Sequence, residues 1–395
     1  MSIVNMEYQK LGQSYLFREI DARVKRFKEL HPEKDLLRLG IGDVFQPLTS
    51  GVIRLMHEAV DDQSRKETFR GYMPECGMKE LREAIAARYA KRNIELDAEE
   101  VFVSSGASDE LGDIVHLFDR SLPVILIEPA YPAYADVSVM DGRKIIYIPA
   151  EADNGFTPPP PAEKVTALIY ICSPNNPTGA VYTREKLTEW VNYACATGSV
   201  ILYDAAYEAF VTEENIPRSI YEIEGAKSCA IEICSLSKTA GFTGTRCGYT
   251  VVPDRLCRDG IYLNDMWVRN RTTRTNGVSY VIQKAALAVF SEEGEKETNQ
   301  LLSVYRKNAE VFMKALDEAG IWYTGGRNAP YIWVKCPKSL TSWQYFDLLL
   351  EKTGILGTPG SGFGECGEGY FRFSMFADPV AVKEAGRRIA EMKIE

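Results

Sequence analysis

The sequence has little of what several large classes of protein require. Its 395 residues include only three histidines, and its nine cysteines are scattered without a Cys-x-x-Cys pair. We therefore expect neither a metal site nor a histidine-based triad, and the cysteines fit reduced thiols in a cytoplasm. No hydrophobic run approaches the length of a membrane span, and the N-terminus lacks the apolar stretch of a secretion signal.

Positive charge is outweighed by negative charge. Lysine and arginine number 46 against 55 acidic residues, which gives a net charge of −9, and no basic block interrupts the chain. Such a chain is a poor candidate for binding nucleic acid or an anionic membrane. Hydrophobic residues make up 45% of it, so it can bury a large core. Its length predicts two or three domains, or one large α/β domain with a smaller one.

Short apolar runs alternate with amphipathic segments through the middle of the chain. Runs without polar alternation are typical of strands buried on both faces of a mainly parallel sheet. We predict an α/β fold with a large domain over residues 45–285, in which helices wrap a mainly parallel sheet. Residues 1–44 together with 286–395 are expected to form a smaller α+β domain. The predicted strands span residues 101–104, 124–128, 145–148, 167–172, 200–204, 229–235 and 248–252.

The motif at residues 235–246 carries the most specific chemical signal. It places Lys238 among hydroxyl side chains, two glycines and Arg246, directly after a predicted strand. Ligands of α/β proteins bind at the carboxyl ends of such strands. A Walker phosphate loop is excluded because residues 230–234 contain no glycine. The motif suits a Schiff-base lysine beside a phosphate, and on its own it would equally suit a surface loop.

Two neighbouring strands lead into polar side chains that suit the same chemistry. Asp204 ends one strand and Tyr207 comes shortly after it, while Asn176 follows the strand before. Pyridoxal 5'-phosphate needs an amine, a carboxylate for its pyridine nitrogen and donors for its ring hydroxyl. Residues 105–108 add a junction between a strand and a helix, where backbone N–H groups can bind phosphate. Taken singly, Asp204 also suits an N-cap and Asn176 a plain turn.

Further motifs run along nearly the whole chain, at residues 15–17, 38–43, 70–72, 131–134, 203–210, 241–246, 276–280, 328–334 and 357–364. Together they resemble the aspartate-aminotransferase-like family (fold type I) of pyridoxal-phosphate enzymes. Within it, they resemble the branch whose members act on LL-2,6-diaminopimelate. The resemblance implies a homodimer with active sites shared across the interface. It also implies amino-group transfer between that diamino acid and 2-oxoglutarate in lysine biosynthesis.

The same resemblance implies a role for each matching residue. Lys238 bonds the cofactor aldehyde and later moves the substrate proton, while Asp204 pairs with the pyridinium nitrogen. Tyr131 stacks on the ring. Asn176 and Tyr207 bind its oxygen, and Asn176 also contacts substrate. The phosphate contacts are Gly106, Ala107, Ser108, Ser235, Ser237, Arg246 and, from the neighbouring subunit, Tyr72. The other substrate contacts are Tyr15, Gly42, Asn276, Arg372 for the α-carboxylate, and Glu75 for the distal ammonium.

Physical chemistry supports the role of Arg372, because a planar guanidinium can donate two parallel hydrogen bonds to a carboxylate. A salt bridge between domains is the alternative for this residue. Three further arginines, Arg269, Arg271 and Arg274, adjoin Asn276. We interpret them as an anion site rather than a solvated face.

Three positions depart from the pattern of the diaminopimelate branch. Gln46 replaces a glutamate, Cys76 a glutamine and Ser108 a lysine. An aminotransferase for aspartate or aromatic amino acids therefore stays open as an alternative. So does a β-eliminating lyase, which would use the same Lys238 and Asp204. A pyridoxal-phosphate-binding regulator would need a DNA-binding or partner-binding appendage, for which the predicted fold leaves no room.

Overall fold

The computed structural model describes residues 3–11, 16–337 and 340–392. Its helices are α1 (Leu16–Leu30), α2 (Ser50–Gln63), α3 (Lys79–Ala90), α4 (Ala107–Asp113), α5 (Pro132–Met140), α6 (Arg184–Thr197), α7 (Leu236–Thr239), α8 (Leu263–Arg274), α9 (Tyr280–Leu287), α10 (Glu292–Glu318), α11 (Ser342–Thr353) and α12 (Pro379–Glu391). Its strands are β1 (Leu37–Arg38), β2 (Val101–Ser104), β3 (Val124–Glu128), β4 (Ile145–Pro149), β5 (Leu168–Cys172), β6 (Val200–Asp204), β7 (Ala230–Ser235), β8 (Gly248–Val251), β9 (Cys257–Arg258), β10 (Ile261–Tyr262), β11 (Tyr323–Gly325), β12 (Tyr331–Lys335), β13 (Ile355–Leu356), β14 (Thr358–Pro359) and β15 (Tyr370–Ser374).

A seven-stranded sheet forms the centre of the molecule, in the order β2-β8-β7-β6-β5-β3-β4. Its pairs are parallel except those of β8, which runs antiparallel to both neighbours. Successive residues of β6 enter opposite core layers: Ile201 and Tyr203 lie in one, Val200 and Leu202 in the other. Burial on both faces explains why the strand sequences lack polar alternation. The predicted α/β fold with a mainly parallel sheet is confirmed.

A second, antiparallel sheet has the order β11-β12-β15-β14. Its core combines Val24 and Phe27 of α1 with Phe312 of α10 and Phe373 of β15. Strand β1 pairs with β13, so that Leu37 lies opposite Ile355. The N-terminal segment and the last part of the chain therefore share one core. The domain boundaries given from the sequence stay a prediction.

The sheet topology brings one end of several strands together. Strands β5, β6 and β7 are adjacent and parallel, so Cys172, Asp204 and Ser235 reach the same edge. Because β8 runs the other way, its first residue, Gly248, pairs with Ser104 and with Ser235 at that edge. A Cβ at Gly248 would lie 2.6 Å from the Cys234 carbonyl oxygen, so only glycine fits there. The polar residues after these strands thus lie around one opening.

All nine cysteines are free. Within the residues that the structure describes, no helix combines the length and the apolar character needed to cross a membrane. The same residues contain no group of three or more histidine, cysteine or acidic side chains arranged to hold a metal ion.

Candidate active site

A cavity of about 490 Å³ opens at the carboxyl edge of the main sheet. It gathers most of the site residues predicted from the sequence: Gly42, Ala107, Ser108, Tyr131, Asn176, Asp204, Tyr207, Ser235, Ser237, Lys238, Arg246 and Arg372. Its lining also includes Asp43, Tyr134 and Tyr331.

Lys238 lies in the single helical turn α7 that follows β7. Its Nζ donates a hydrogen bond to the carbonyl oxygen of Gly42. Burial lowers the pKa of this amine to about 8, with Asp43 acting in the opposite direction and Arg372 adding to the decrease. About a tenth of Lys238 is therefore neutral at pH 7, far more than for a lysine with the ordinary pKa of 10.5, and the neutral amine is nucleophilic.

Asp204 ends β6 with its carboxylate buried in the same cavity. One oxygen accepts a hydrogen bond of 2.5 Å from the Tyr134 hydroxyl, and the other accepts one of 2.9 Å from the backbone N–H of Ala206. Burial raises the pKa of this carboxyl, and the two hydrogen bonds oppose the increase. None of the ion pairs among the described residues involves Asp204. A cationic group in the cavity would supply its missing counter-charge.

Arg372, in β15, is only 3% exposed and faces the cavity without an acid beside it. Its two terminal nitrogens donate to the Asn176 side-chain oxygen at 2.6 Å and the Gly40 carbonyl oxygen at 2.7 Å. Its Nε is buried and has no hydrogen-bond partner. The ring of Tyr331 lies 4.5 Å from the guanidinium carbon. Since its partners are neutral, the alternative of a salt bridge between domains is wrong, and the guanidinium is available to an anion.

Tyr134 and Tyr331 received no role from the sequence, although both lie in quoted motifs. The hydroxyl of Tyr331 lies 2.9 Å from that of Tyr207. Tyr134 binds Asp204 across 70 residues of sequence, and Tyr331 meets Tyr207 across 124. Their membership of these motifs was the one signal in the sequence that could have found them, because contacts between such distant residues leave no local pattern.

Hydroxyl groups and a guanidinium form one end of the cavity. Nη1 of Arg246 donates to the Ser237 hydroxyl at 3.1 Å, and the Ser235 hydroxyl accepts from the Ser237 backbone N–H at 3.1 Å. A Cβ at Gly106, whose φ is +117°, would lie 2.4 Å from Nη2 of Arg246. Glycine is therefore required for this approach. Together with Ala107 and Ser108 at the start of α4, the group is suited to a phosphate.

Three predicted site residues, Tyr72, Glu75 and Asn276, do not line the cavity. The Tyr72 side chain is 87% exposed. The segments that carry them meet each other, since a Cβ at Gly277 would lie 2.8 Å from the Met73 carbonyl oxygen. Tyr15 lies outside the described residues.

The predicted anion site at Arg269, Arg271 and Arg274 is wrong. Arg271 is buried and paired with Glu110 at 2.6 Å, and Arg274 is paired with Asp113 at 3.1 Å. Arg269 is exposed to solvent. Two of the three positive charges are thus already matched by acids within the fold.

Comparison with known proteins is consistent with this geometry. Residues 34–389 match the model of the family described as aminotransferase class I and II. The chain belongs to this family. Members of the aminotransferase family act on amino acids and 2-oxo acids and use pyridoxal phosphate.

Individual relatives of this aminotransferase are similar over their full length. An LL-diaminopimelate aminotransferase of Lawsonia intracellularis is 47% identical, and one of Lachnospira eligens is 44% identical, each covering 98% of both chains. The solved structure of L,L-diaminopimelate aminotransferase from Chlamydomonas reinhardtii is 39% identical with a TM-score of 0.92. That match covers 99% of this chain and 98% of the other.

The cavity of this aminotransferase fits the family's cofactor. Lys238 provides an amine for an aldehyde, Asp204 is a buried acid without a cation, and the groups around Arg246 suit a phosphate. Glycine at position 106 leaves the space that this approach needs.

Proposed function

We propose that this aminotransferase moves an amino group between LL-2,6-diaminopimelate and 2-oxoglutarate, with pyridoxal 5'-phosphate bound in the main cavity. The observation that carries the proposal is the presence in one cavity of a lysine amine, a buried acid without a cation and a buried arginine without an acid. The substrate is supported by the full-length similarity to LL-diaminopimelate aminotransferases at 44–47% identity.

When bound, pyridoxal phosphate supplies an electron sink that makes the α-proton of an amino acid acidic. Lys238 Nζ is the base for that proton, since its pKa of about 8 leaves a neutral fraction available. Asp204 would hold a proton on the pyridine nitrogen of the bound cofactor, and Tyr134 keeps the carboxylate oriented by its hydrogen bond. Tyr207 would donate to the ring oxygen of the cofactor, and the Tyr331 hydroxyl lies 2.9 Å from the Tyr207 hydroxyl.

Arg372 orients the substrate in this proposal. The α-carboxylate approaches the guanidinium, whose buried Nε lacks a partner. Asn176 accepts a hydrogen bond from one terminal nitrogen and Gly40 from the other, so the guanidinium group is already oriented before substrate binds. Arginine holds a carboxylate in one orientation because it donates two parallel hydrogen bonds.

The test is a spectral titration of the cofactor-loaded protein. LL-diaminopimelate is expected to convert the yellow cofactor to its pyridoxamine form, and 2-oxoglutarate is expected to reverse the change. Aspartate, glutamate and tyrosine are titrated in parallel. If only aspartate or tyrosine converts the cofactor, the assignment of LL-diaminopimelate as the substrate is overturned. Gln46, Cys76 and Ser108 would then be the positions at which the specificity differs.

Product analysis separates transfer from elimination. Glutamate formed from 2-oxoglutarate supports the proposal, whereas pyruvate and a released leaving group would indicate a lyase. The variant Lys238→Ala is expected to lose both the yellow absorbance and turnover, because no other amine of the cavity lining can bond the aldehyde. Retained turnover would defeat this assignment.

A homodimer with shared active sites is part of the proposal. Ile53 and Val60 of α2 are exposed large apolar residues seven positions apart, hence on one face of the helix, and Phe69 and Tyr72 are exposed as well. A second copy that covers this surface would bring Tyr72 to the phosphate, and Glu75 and Asn276 to the substrate.

Free cysteines agree with a cytoplasmic location, which is also part of the proposal.

Mixing two inactive variants tests the sharing of sites. Lys238→Ala removes the base, and Tyr72→Ala removes a contact proposed to act in the other subunit. Heterodimers of the two contain one site that lacks both groups and one intact site, so activity is expected to return on mixing. A mixture as inactive as its components, despite proven subunit exchange, would place Tyr72 in its own subunit's site.

A further inference from the structure

A second cavity, of about 200 Å³, lies apart from the active site between the end of α3, the first half of α10 and the chain after Tyr207. It shares no lining residue with the main cavity. We call it the arginine cavity. Its polar lining consists of Arg88, Lys91, Arg92, Arg218, Glu295, Thr298 and Asn299.

Cations in the arginine cavity outnumber the acids that could neutralise them. Arg88 and Arg92 share one carboxylate, that of Glu208, at 2.7 and 2.9 Å. Arg218 joins them without an ion pair of its own among the described residues, and its terminal nitrogen donates to the Val211 carbonyl oxygen at 2.6 Å. Three guanidinium groups therefore share the Glu208 carboxylate. The acid of the cavity lining, Glu295, is already paired with Lys91 at 2.6 Å.

Arg306 adds a fourth guanidinium at the edge of this group. It lies one turn beyond Leu302 on the same helix, α10, and donates to the Ala209 carbonyl oxygen at 2.8 Å. Its Nε is buried without a hydrogen-bond partner. Burial lowers the pKa of both Arg306 and Arg218. In Arg218, Glu208 opposes the decrease and the neighbouring arginines add to it.

Keeping partly buried like charges together is costly unless a counter-charge is present. An anion in the cavity would neutralise Arg218 and accept the remaining donors of Arg88 and Arg92, and Thr298 and Asn299 would add neutral contacts. Planar guanidinium groups bind compact oxyanions through pairs of hydrogen bonds. The volume of about 200 Å³ leaves room for such an ion with a few waters.

We propose that the arginine cavity is a binding site for a compact dianion, either inorganic phosphate or a short dicarboxylate. The site is separate from the amino-transfer site and does not depend on which amino acid the enzyme uses. Glu208 is too close to both Arg88 and Arg92 to leave space for the ion between them, so the ion binds on the Arg218 side.

The test is calorimetric titration of the cofactor-loaded protein, in which the cofactor's own phosphate occupies the end of the main cavity beside Arg246. Phosphate and succinate are titrated separately into wild type, Arg218→Gln and Arg306→Gln. The matched control is Lys307→Gln, which removes one positive charge from the same helix. Lys307 is exposed and pairs with Glu310 at 2.9 Å.

We expect saturable binding of at least one of the two anions by wild type and Lys307→Gln. Arg218→Gln is expected to weaken it about tenfold or more, the loss of one charge-assisted contact. The anion that binds is also expected to raise the melting temperature of wild type more than that of Arg218→Gln. If Arg218→Gln fails to fold, Arg306→Gln provides the same comparison.

The two anions separate the sources. If only phosphate gives a heat of binding that depends on Arg218, the cavity is a phosphate site. If only succinate does so, the cavity is a dicarboxylate site. Succinate bound equally by wild type and both arginine variants would be binding at Arg372 in the main cavity. The proposal is overturned if neither anion gives binding that depends on Arg218 or Arg306 at about 10 mM ligand.

Discussion

Arg143 and Arg372 are buried to a similar degree, 5% and 3% exposed, yet the fold treats them in opposite ways. Arg143 donates its Nε to Asp141 at 2.8 Å and its terminal nitrogens to four backbone carbonyl oxygens. Arg372 has only neutral partners and an unused Nε. Burial alone therefore does not indicate a binding site. Burial without a counter-charge does.

The largest effect expected from this contrast is in Arg372→Gln. Loss of the charge should reduce kcat/KM about 10³-fold, because an arginine–carboxylate pair in a desolvated site is strong. The melting temperature should stay at or above that of wild type, since an unpaired buried charge is removed. Arg372→Lys keeps the charge but not the planar guanidinium, so its kcat/KM should lie between those of wild type and Arg372→Gln. A large loss of stability with unchanged KM would mean that Arg372 serves the fold.

Arg143→Gln should show the reverse pattern. Removing the donor that ties Asp141 to four carbonyl oxygens should lower the free energy of unfolding by about 3 kcal/mol. Urea unfolding measures this loss, and kcat/KM of the folded fraction should stay near wild type. A variant of normal stability and impaired turnover would remove the distinction between the two arginines.

A third buried arginine, Arg271, allows the comparison to be tested by pH. Burial raises the pKa of its partner Glu110 to about 7, against the effect of Arg271. Between the ordinary value of 4.5 and about 7, the folded protein binds this proton and the unfolded chain releases it. The free energy of unfolding should therefore fall by about 3 kcal/mol as pH rises through this window. Glu110→Gln should flatten that slope, and an unchanged slope would exclude Glu110 as its source.

The smallest effect is expected at Asp43, which opposes the decrease in the pKa of Lys238. In the cofactor-free protein, cofactor uptake should become faster as pH rises, with a midpoint near 8, because the neutral amine attacks the aldehyde. Asp43→Asn should lower the midpoint by less than about 1 unit, since the acid is exposed. The remote change Asp347→Asn is the control. A midpoint near 10.5 in wild type would mean that Lys238 is not desolvated.

The sequence predicted the central strands to within a residue or two because both of their faces are buried, as in β5 and β6. It did not indicate α2, α5 or α8. Helix α5 is apolar on most sides and α8 is mostly polar, so neither has a clear amphipathic period.

The chemistry of the candidate site was accessible for a similar reason. Asp204 ends one strand, and Lys238 and Asn176 closely follow its two neighbours, so all three are local signals in the sequence. Tyr331 and the arginine cavity depend on segments that meet only in the folded chain, and the pairing of Arg271 with Glu110 spans 161 residues. The sequence alone does not reveal which arginines the fold neutralises.

The pairing of β1 with β13 has a consequence for synthesis on the ribosome. Leu37 is made 318 residues before its partner Ile355. At about 5–20 residues per second, it waits roughly 16–64 s for that partner. During this interval the apolar face of α1, including Val24 and Phe27, lacks the later residues of its core. The nascent chain therefore exposes a hydrophobic helix until translation is nearly finished, and this is the stage at which a chaperone would contribute most.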